Sequence, residues 1–209
     1  MTEPHSVYPK ARRHLARRDP VLKRLIAAVG PCTLRHDPDH FPLLARSIIS
    51  QQISGKAAAS ISARLLQAVG RSGLTPRGVL KLSDAELRGA GLSAAKAAAL
   101  RDLAAKVRDG TVPLAELHAL EDEEVIARLI PVRGIGRWTA QMFLIFSLGR
   151  LDVLPTADFG LRSGVRREYG LPDLPDARSL EALAEPWRPY RSVATWYFWR
   201  SFGPVPQSQ

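Results

Sequence analysis

The stretch LIPVRGIGRWTAQMFLIFSLGRLDVLPTAD, from Leu129 to Asp158, contains the most informative pattern in the chain. It begins as the end of an apolar helix and passes through Gly134-Ile135-Gly136, where two glycines permit backbone conformations and close approaches that a Cβ would obstruct. A second helix follows, and its first N–H groups have no partner inside the helix and carry the positive end of the helix dipole. Such a hairpin can hold an anion such as a phosphate group.

A carboxylate, Asp158, follows one helix beyond the hairpin, in the segment Pro155-Thr156-Ala157-Asp158-Phe159-Gly160. Its place before Phe159-Gly160-Leu161 is typical of a helix N-cap. A carboxylate there can also stabilise positive charge that develops on a substrate, and the two roles are compatible. The stretch therefore predicts a phosphate grip and a carboxylate that is a cap, a functional group or both.

The composition indicates a folded protein with an acidic partner. Of the 209 residues, 45% are hydrophobic, which argues against disorder. Lys and Arg number 30 against 20 acidic residues, giving a formal charge of +10. This balance favours nucleic acid as the partner, although a protein that is merely basic would have the same composition.

The single cysteine limits the redox and metal chemistry. Cys32 alone excludes an intramolecular disulfide, a four-cysteine zinc site and a four-cysteine iron–sulfur cluster. It fits a reducing, intracellular compartment. No run approaches the ~20 apolar residues that cross a bilayer, and no signal-type apolar segment follows Met1, so we expect no membrane segment and no export.

Helical spacing dominates the chain, and no alternating strand pattern or β-hairpin signal occurs, so the fold class is predicted to be all-α. Asp19-Pro20 predicts a helix start, with a capping side chain before proline at the first helical position. Ser83 and Glu86 have capping-box spacing. Residues 1–18 carry many basic residues and little apolar periodicity, which predicts a basic, mobile lead-in. The C-terminal segment is aromatic, and most of its rings should be core.

Three polar segments leave alternatives open. Ser50-Gln51-Gln52-Ile53-Ser54 is either a helix junction or a polar probe aimed at a ligand. His36-Asp37-Pro38-Asp39-His40 offers possible metal ligands, but Pro38 and the lack of further ligands favour a loop. Gly91–Lys96 is either a second, weaker phosphate contact or ordinary helix capping.

With Gly134-Ile135-Gly136-Arg137-Trp138-Thr139-Ala140 and Pro155-Thr156-Ala157-Asp158 in this order, the chain resembles the helix-hairpin-helix DNA glycosylases, and most closely the AlkA-type DNA-3-methyladenine glycosylases. The Ser50–Ser54 segment and the terminal Trp-Arg-Pro-Tyr-Arg-Ser run are similar to family segments too. The resemblance covers about Asp19 to Phe202.

The resemblance implies a two-lobed helix-hairpin-helix glycosylase fold with the active-site cleft between the lobes. We expect the compact version of this fold, without the N-terminal β-domain of the longer family form. We expect a central helical lobe over 42–149, with the hairpin at about 125–148. A second lobe should combine 19–41 with 150–209, carrying Asp158 and the aromatic C-terminus.

Site roles follow from the resemblance, residue by residue. Asp158 matches the catalytic aspartate, and Trp138, Met142 and Trp199 match positions lining the base pocket, where electron-rich rings stack on a cationic base. Trp138 stands where bifunctional relatives place a lysine nucleophile, and Met142 stands where the best-known family form has an aromatic residue. An indole cannot form a Schiff base, so water is the expected nucleophile. Contacts to the DNA backbone are expected from the hairpin residues Arg133, Gly134, Ile135, Gly136, Arg137 and Thr139.

The resemblance also implies a plug that fills the gap left by the flipped base, and either Gln52 or Gln51 matches it. Arg133 replaces the family's proline before the first hairpin glycine. No cofactor, catalytic metal or iron–sulfur cluster is expected, although a structural monovalent cation can bind the hairpin carbonyls in this family.

The sequence thus predicts a monofunctional glycosylase that releases alkylated purines from double-stranded DNA by base flipping, in base excision repair. We expect it to be monomeric, intracellular and associated with DNA, with no membrane partner. Two alternatives stay open: a glycosylase for uracil, hypoxanthine or ethenoadenine, and a non-catalytic helix-hairpin-helix DNA-binding protein.

Overall fold

A computed structural model describes residues 4–203 of the chain. Over these residues every regular element is helical and no β-strand occurs, which confirms the predicted all-α class. The chain forms two compact units. The central unit comprises Asp37–Leu148, and the terminal unit takes in the described residues up to His36 and those from Gly149 onward.

The α-helices divide between the two units. The terminal unit contains α1 (Pro4–Arg18), α2 (Pro20–Val29), α10 (Phe159–Tyr169), α11 (Ala177–Ala184) and α12 (Arg191–Arg200). The central unit contains α3 (His40–Ser50), α4 (Gly55–Val69), α5 (Pro76–Lys81), α6 (Asp84–Gly89), α7 (Ala94–Arg108), α8 (Asp122–Leu129) and α9 (Arg137–Phe146). Short 3-10 turns cover Gly70–Ser72, Leu117–Ala119 and Glu185–Trp187.

The prediction of a mobile lead-in over residues 1–18 is wrong for the part of it that the structure describes. Residues 4–18 form α1, whose Tyr8, Ala11 and Leu15 are buried against the terminal unit. Their spacing of three and four residues places them on one helical face. Interspersed arginines hide this narrow apolar stripe in the sequence. The first three residues lie outside the described part of the chain.

Local signals set several helix boundaries as predicted. Asp19 caps α2 and Pro20 opens it. Ser83 and Glu86 form the predicted capping box at the start of α6. The Ser93 hydroxyl accepts from the Lys96 backbone N–H at 3.2 Å, so the Gly91–Lys96 segment contains an ordinary helix cap. Each such cap satisfies an N–H group that the helix leaves without a partner.

The terminal unit is built around aromatic side chains. Trp187, Tyr197 and Phe198 are fully buried, and α12, which carries two of them, packs against α10 and α2. The Asp19 carboxylate is also buried, and it accepts hydrogen bonds from the Trp187 indole at 2.7 Å and from the Tyr169 hydroxyl. The C-terminal rings are therefore mainly core, as predicted.

The central unit packs α7 against α5 and α3, and α8 against α9. Leu100 and Leu103 of α7 and Ile48 of α3 are completely buried. Each such side chain contributes roughly 1.5–3 kcal/mol through the hydrophobic effect. This core makes α7 a fixed support inside the central unit. Over the described residues, no helix combines the length and apolar character that a membrane span requires.

Candidate active site

Asp158 is a buried N-cap, with 8% of its surface exposed. One carboxylate oxygen, Oδ1, accepts from the backbone N–H of Leu161 at 2.6 Å and thereby starts α10. The same oxygen accepts from the indole N–H of Trp199 at 2.8 Å. These two donors fix the position and orientation of the carboxylate. The cap predicted from the sequence is therefore present.

Two parts of helix α12 contact the segment that leads to Asp158 and hold it in place. Near its start, Arg191 forms an ion pair with Asp152, with 2.8 Å between Nε and Oδ1. The adjacent Ser192 hydroxyl donates to the Arg150 carbonyl at 2.7 Å and accepts from the Val153 N–H at 2.9 Å. Trp199, near the other end of α12, reaches Asp158 itself. The aspartate is thus positioned by a helix that lies far along the chain.

Gly160 is a constraint on this site that the sequence pattern did not reveal. A Cβ at Gly160 would lie 3.1 Å from Cδ1 of Trp199 and 3.2 Å from Oδ1 of Asp158. A larger residue would therefore displace the indole, the carboxylate or both. The order Asp-Phe-Gly in the sequence does not by itself show this constraint. The constraint depends on the ring of Trp199, which is 41 positions from Asp158.

The hairpin between α8 and α9 has the predicted two-glycine turn. Gly134 has a φ of +79°, a left-handed conformation that L side chains rarely adopt. Gly136 precedes α9 as its N-cap and supplies no capping side chain, and no atom lies within 4 Å of where its Cβ would be. The start of α9 is thus an open surface with helical N–H groups. This arrangement suits a phosphate group.

The other predicted hairpin residues divide by burial. Ile135 and Thr139 are buried, so Ile135 can meet DNA only through its backbone. Arg133 is exposed, and its backbone N–H donates to Oδ2 of Asp102 at 2.8 Å. Arg137 forms a two-point ion pair with Glu123, with 2.9 Å between Nη1 and Oε2.

Both partners of the Arg137 pair are exposed. Such surface pairs contribute at most about 1 kcal/mol, so a phosphate group can displace Glu123. Burial raises the pKa of Asp102, whereas hydrogen bonds donated by the Arg133 N–H and the Lys106 ammonium lower it. The hydrogen bonds have the larger combined effect, so the pKa of Asp102 lies below its usual value. The carboxylate that anchors the hairpin therefore stays ionised at neutral pH.

A depression of about 340 Å³ lies in the central unit beside the start of α9. Trp138 contributes an indole that is 44% exposed, and Met142 is nearly buried at 8%. Hydroxyl and amide groups share the lining with these apolar side chains. The lining residues are Ser47, Ser50, Gln51, Gln52, Trp138, Thr139 and Met142. Ser47 was not predicted, because a lone serine on a helix gives no sequence signal of a pocket. Ser50 opens the Ser50–Ser54 segment, for which the sequence left a ligand-directed role open.

A family model described as HhH-GPD superfamily base excision DNA repair protein matches residues 45–189. The chain belongs to the HhH-GPD superfamily. The match contains the hairpin, the depression and Asp158, and it confirms the family resemblance that the sequence motifs gave.

Two relatives match this HhH-GPD protein over nearly all of its length. An alkylbase DNA glycosidase-like protein of Schizosaccharomyces pombe is 32% identical over 200 residues, which span 93% of this chain and 94% of the relative. DNA-3-methyladenine glycosylase 1 of the same organism is 35% identical over 198 residues, spanning 92% and 86% respectively.

Two solved structures are similar to this chain over nearly its whole length. The Schizosaccharomyces pombe 3-methyladenine DNA glycosylase in complex with abasic DNA has a TM-score of 0.81 at 34% identity, covering 96% of this chain and 100% of that one. A DNA-3-methyladenine glycosidase from Bacillus halodurans has a TM-score of 0.82 at 36% identity, covering 97% and 90%. The helix-hairpin-helix glycosylase fold is therefore confirmed.

The two adjacent glutamines of this HhH-GPD chain differ in their surroundings. Gln51 donates from Nε2 to the Gly134 carbonyl at 2.8 Å, so its side chain braces the hairpin. Gln52 is exposed at a φ of +59°, an unusual conformation for a residue with a side chain. The turn therefore presents Gln52 outward while Gln51 is bonded inward.

Other polar clusters of the HhH-GPD chain have structural roles. Among the described residues no group of three or more His, Cys, Asp or Glu could hold a metal ion. In the His36–His40 segment, Asp37 pairs with Arg46, and Nδ1 of His40 lies 2.7 Å from the Ser147 hydroxyl. Residues 36–39 form a loop, as Pro38 indicated, and His40 begins α3.

Proposed function

We propose that this protein is a monofunctional DNA glycosylase that hydrolyses the N-glycosidic bond of alkylated purines, such as 3-methyladenine and 7-methylguanine, in double-stranded DNA. The observation that carries the proposal is the buried Asp158 carboxylate, oriented by Leu161 and Trp199, in a chain of the HhH-GPD superfamily. The similarity to a glycosylase complexed with abasic DNA supports DNA as the partner. The product is an abasic site, the first intermediate of base excision repair.

Asp158 is the catalytic residue in this proposal. As the glycosidic bond breaks, the sugar gains positive charge, and a fixed carboxylate stabilises that charge. The oxygen of a water molecule bonds to C1′, and its proton leaves to Asp158 or to solvent. The bonding electrons leave with the base. Because a 3- or 7-methylated purine already carries a positive charge, it departs neutral and needs no strong general acid.

The depression around Trp138 is the proposed base pocket. The exposed indole can stack on a flipped cationic base, and Met142 contributes a polarisable thioether. An indole has no amine with which to form a Schiff base, so the reaction stops at hydrolysis without strand cleavage. We also propose a base-contacting role for Trp199, whose N–H orients Asp158 within the terminal unit.

The hairpin is the proposed DNA backbone contact. The open start of α9, with Gly136 and the N–H groups that follow it, accepts a phosphate, and the Arg133 and Arg137 side chains add positive charge. Gln52, exposed on its turn, is the proposed plug. Filling the gap left by a flipped base offsets a few kcal/mol of unstacking. Gln51 instead holds the turn against the hairpin.

A monovalent cation at the hairpin carbonyls is a further part of the proposal. The Gly134 carbonyl accepts from Gln51 and the Val132 carbonyl accepts from the Ile135 N–H, and each oxygen keeps a second lone pair. Oxygen ligands of this kind fit a hard cation, which would brace the turn. Replacing sodium and potassium with tetramethylammonium at constant ionic strength should then weaken duplex binding. We infer that the protein works as a monomer inside the cell, where its substrate is.

A lesion panel tests the function. Duplexes containing 3-methyladenine, 7-methylguanine, uracil, hypoxanthine or ethenoadenine are incubated with the protein, and the released free base is measured by chromatography. Release of the methylated purines without strand nicking is the expected result. Efficient release of uracil alone would overturn the substrate assignment. No release from any duplex, with binding retained, would favour a non-catalytic DNA-binding protein.

A further inference from the structure

The helix α7 contacts the turn that carries the proposed plug. The Lys96 ammonium donates to the carbonyls of Ile49 and Gln51, both at 2.6 Å. Ile49 lies in the last turn of α3, where carbonyl groups have no partner inside the helix. Lys96 therefore caps the end of α3 and holds the first residue of the turn that presents Gln52.

The same helix also contacts the hairpin. Asp102 accepts from the backbone N–H of Arg133 at 2.8 Å, and Ala99 packs 3.4 Å from where a Gly134 Cβ would be. Lys96, Ala99 and Asp102 are spaced by three residues, which places them along one side of the helix. We call the turn that begins at Gln51 and presents Gln52 the plug turn. One rigid helix thus holds both the plug turn and the hairpin.

A third contact joins the two held segments directly. The Gln51 side chain donates to the Gly134 carbonyl at 2.8 Å. The plug turn, the hairpin and α7 therefore form a closed set of three contacts, all within the central unit. Neither segment can move without stretching a bond to the other or to α7.

From this geometry we infer that Lys96 is a positioning residue for base flipping, which fixes where Gln52 stands relative to the phosphate-binding hairpin. The inference rests on the proposed function. A plug is useful only if it enters the base stack at the nucleotide whose phosphates the hairpin holds. Small misplacements of positioned groups are costly, with about 1 Å sufficient for a hundredfold loss in rate.

Direct binding of Lys96 to DNA is the competing explanation. An ammonium group has three donors, and two of those of Lys96 already bond to protein carbonyls. The side chain is also only partly exposed. The contacts therefore favour a role inside the protein. The two explanations differ in their effect on the binding of undamaged duplex.

The test compares Lys96→Met with Lys96→Arg, which keeps donors for the two carbonyls. As a control, Lys81→Met removes an exposed lysine of α5 and the same charge. Three quantities are measured: the affinity for undamaged duplex as a function of salt, the single-turnover rate of 7-methylguanine release, and base unstacking. Unstacking is followed by the fluorescence of 2-aminopurine next to the lesion.

Lys96→Met should lower base release by about tenfold or more and reduce the 2-aminopurine signal, because the plug is no longer held in place. Its affinity for undamaged duplex should stay within about twofold of wild type, with an unchanged salt slope. Lys96→Arg should recover most of both losses, and Lys81→Met should release base at the wild-type rate. Gln51→Ala, which removes the direct link to Gly134, should behave like Lys96→Met.

Two results would overturn the inference. A fall in duplex affinity, with a salt slope smaller by about 0.9, would identify Lys96 as a phosphate contact. Unchanged release and fluorescence in both Lys96→Met and Gln51→Ala would show that the contacts do not position the plug. If Lys96→Met does not fold, Gln51→Ala alone decides. Absence of base release in the wild-type protein would instead contradict the proposed function, so the two failures are distinguishable.

Discussion

Two donors converge on one oxygen of Asp158, and their origins differ. The Leu161 N–H belongs to the helix that the aspartate caps, whereas the Trp199 indole comes from α12. The local donor makes Asp158 an N-cap, and the distant donor sets the direction of its carboxylate. A cap and a catalytic group can therefore be one residue, because the cap fixes the geometry that the proposed chemistry requires.

Gly160→Ala tests this geometry at the scale of one methyl group. The new Cβ would meet Trp199 at 3.1 Å and Asp158 at 3.2 Å, so these side chains must shift by a few tenths of an ångström. We predict that single-turnover base release falls by about tenfold, while duplex affinity is unchanged. Gly89→Ala, on a helix with open space at that position, serves as the control. Equal rates in the two variants would contradict the role assigned to Gly160.

The sequence reveals a residue's role where the signal is local. The cap at Asp158 and the left-handed turn at Gly134 follow from their immediate neighbours. Gly160 could not be predicted, because its constraint is a ring on α12. Lys96 bonds to carbonyls 47 and 45 positions away, and no local pattern announces such a contact.

The hairpin contains two glycines, and the physical reason for having a glycine differs between the two positions. Gly134 is required by its positive φ, a property of the backbone alone. Gly136 has no such requirement and no neighbour within 4 Å of its missing Cβ. The free space at Gly136 leaves room for the phosphate contact that we propose at the start of α9.

Substituting alanine for each hairpin glycine distinguishes the backbone requirement at Gly134 from the need for space at Gly136. Gly134→Ala should lower the free energy of unfolding by about 1–2 kcal/mol, because a left-handed φ strains an L residue. Gly136→Ala should change it by less than about 0.5 kcal/mol, yet weaken binding to undamaged duplex several-fold. Urea denaturation and fluorescence anisotropy measure the two quantities. Full duplex affinity in Gly136→Ala would argue against phosphate binding there.

A second buried carboxylate, Asp19, joins three elements and has a structural role. It accepts from the Val21 N–H at 2.8 Å, the Trp187 indole at 2.7 Å and the Tyr169 hydroxyl. Asp19→Ala should lower the free energy of unfolding by about 3 kcal/mol, because it leaves buried donors without an acceptor. The midpoint of urea denaturation measures this loss. The exposed cap Asp176→Ala should lose less, and an equal loss would contradict the buried network.

At the scale of the whole molecule, the sequence predicted the helical class and the family but not the extent of the terminal unit. The apolar stripe of α1 is only three residues long and lies among arginines, so its burial depends on partners that are distant in sequence. The aromatic C-terminus was easier to place, because so many rings can be shielded from water only in a core. Burial that depends on long-range packing could therefore not be predicted from the sequence.

Stability should depend on pH through two histidines. Burial lowers the pKa of His36, and burial followed by nearby His118 lowers the pKa of His40 against the opposing effect of Asp37 and Asp39. The unfolded chain therefore binds more protons once the pH falls below about 6.5. The free energy of unfolding should decrease from pH 7.5 to pH 5, by at most about 1.4 kcal/mol per pH unit for each histidine.

Urea denaturation at several pH values measures this dependence. A variant with both His36→Gln and His40→Gln should show a flatter profile, since neither glutamine titrates. An equally steep profile in the double variant would assign the pH dependence to other groups.

The rate of base release by Asp158→Ser shows whether the Asp158 carboxylate is catalytic. Serine keeps an N-cap acceptor for α10 but has no carboxylate, so the variant separates the cap from the proposed chemistry. We predict a modest fall in the midpoint of unfolding, because serine can accept from the Leu161 N–H but not from the Trp199 indole. Duplex affinity should be unchanged, and the single-turnover rate of 7-methylguanine release should be lower by about a hundredfold or more. Release at the wild-type rate by this folded variant would contradict catalysis by Asp158.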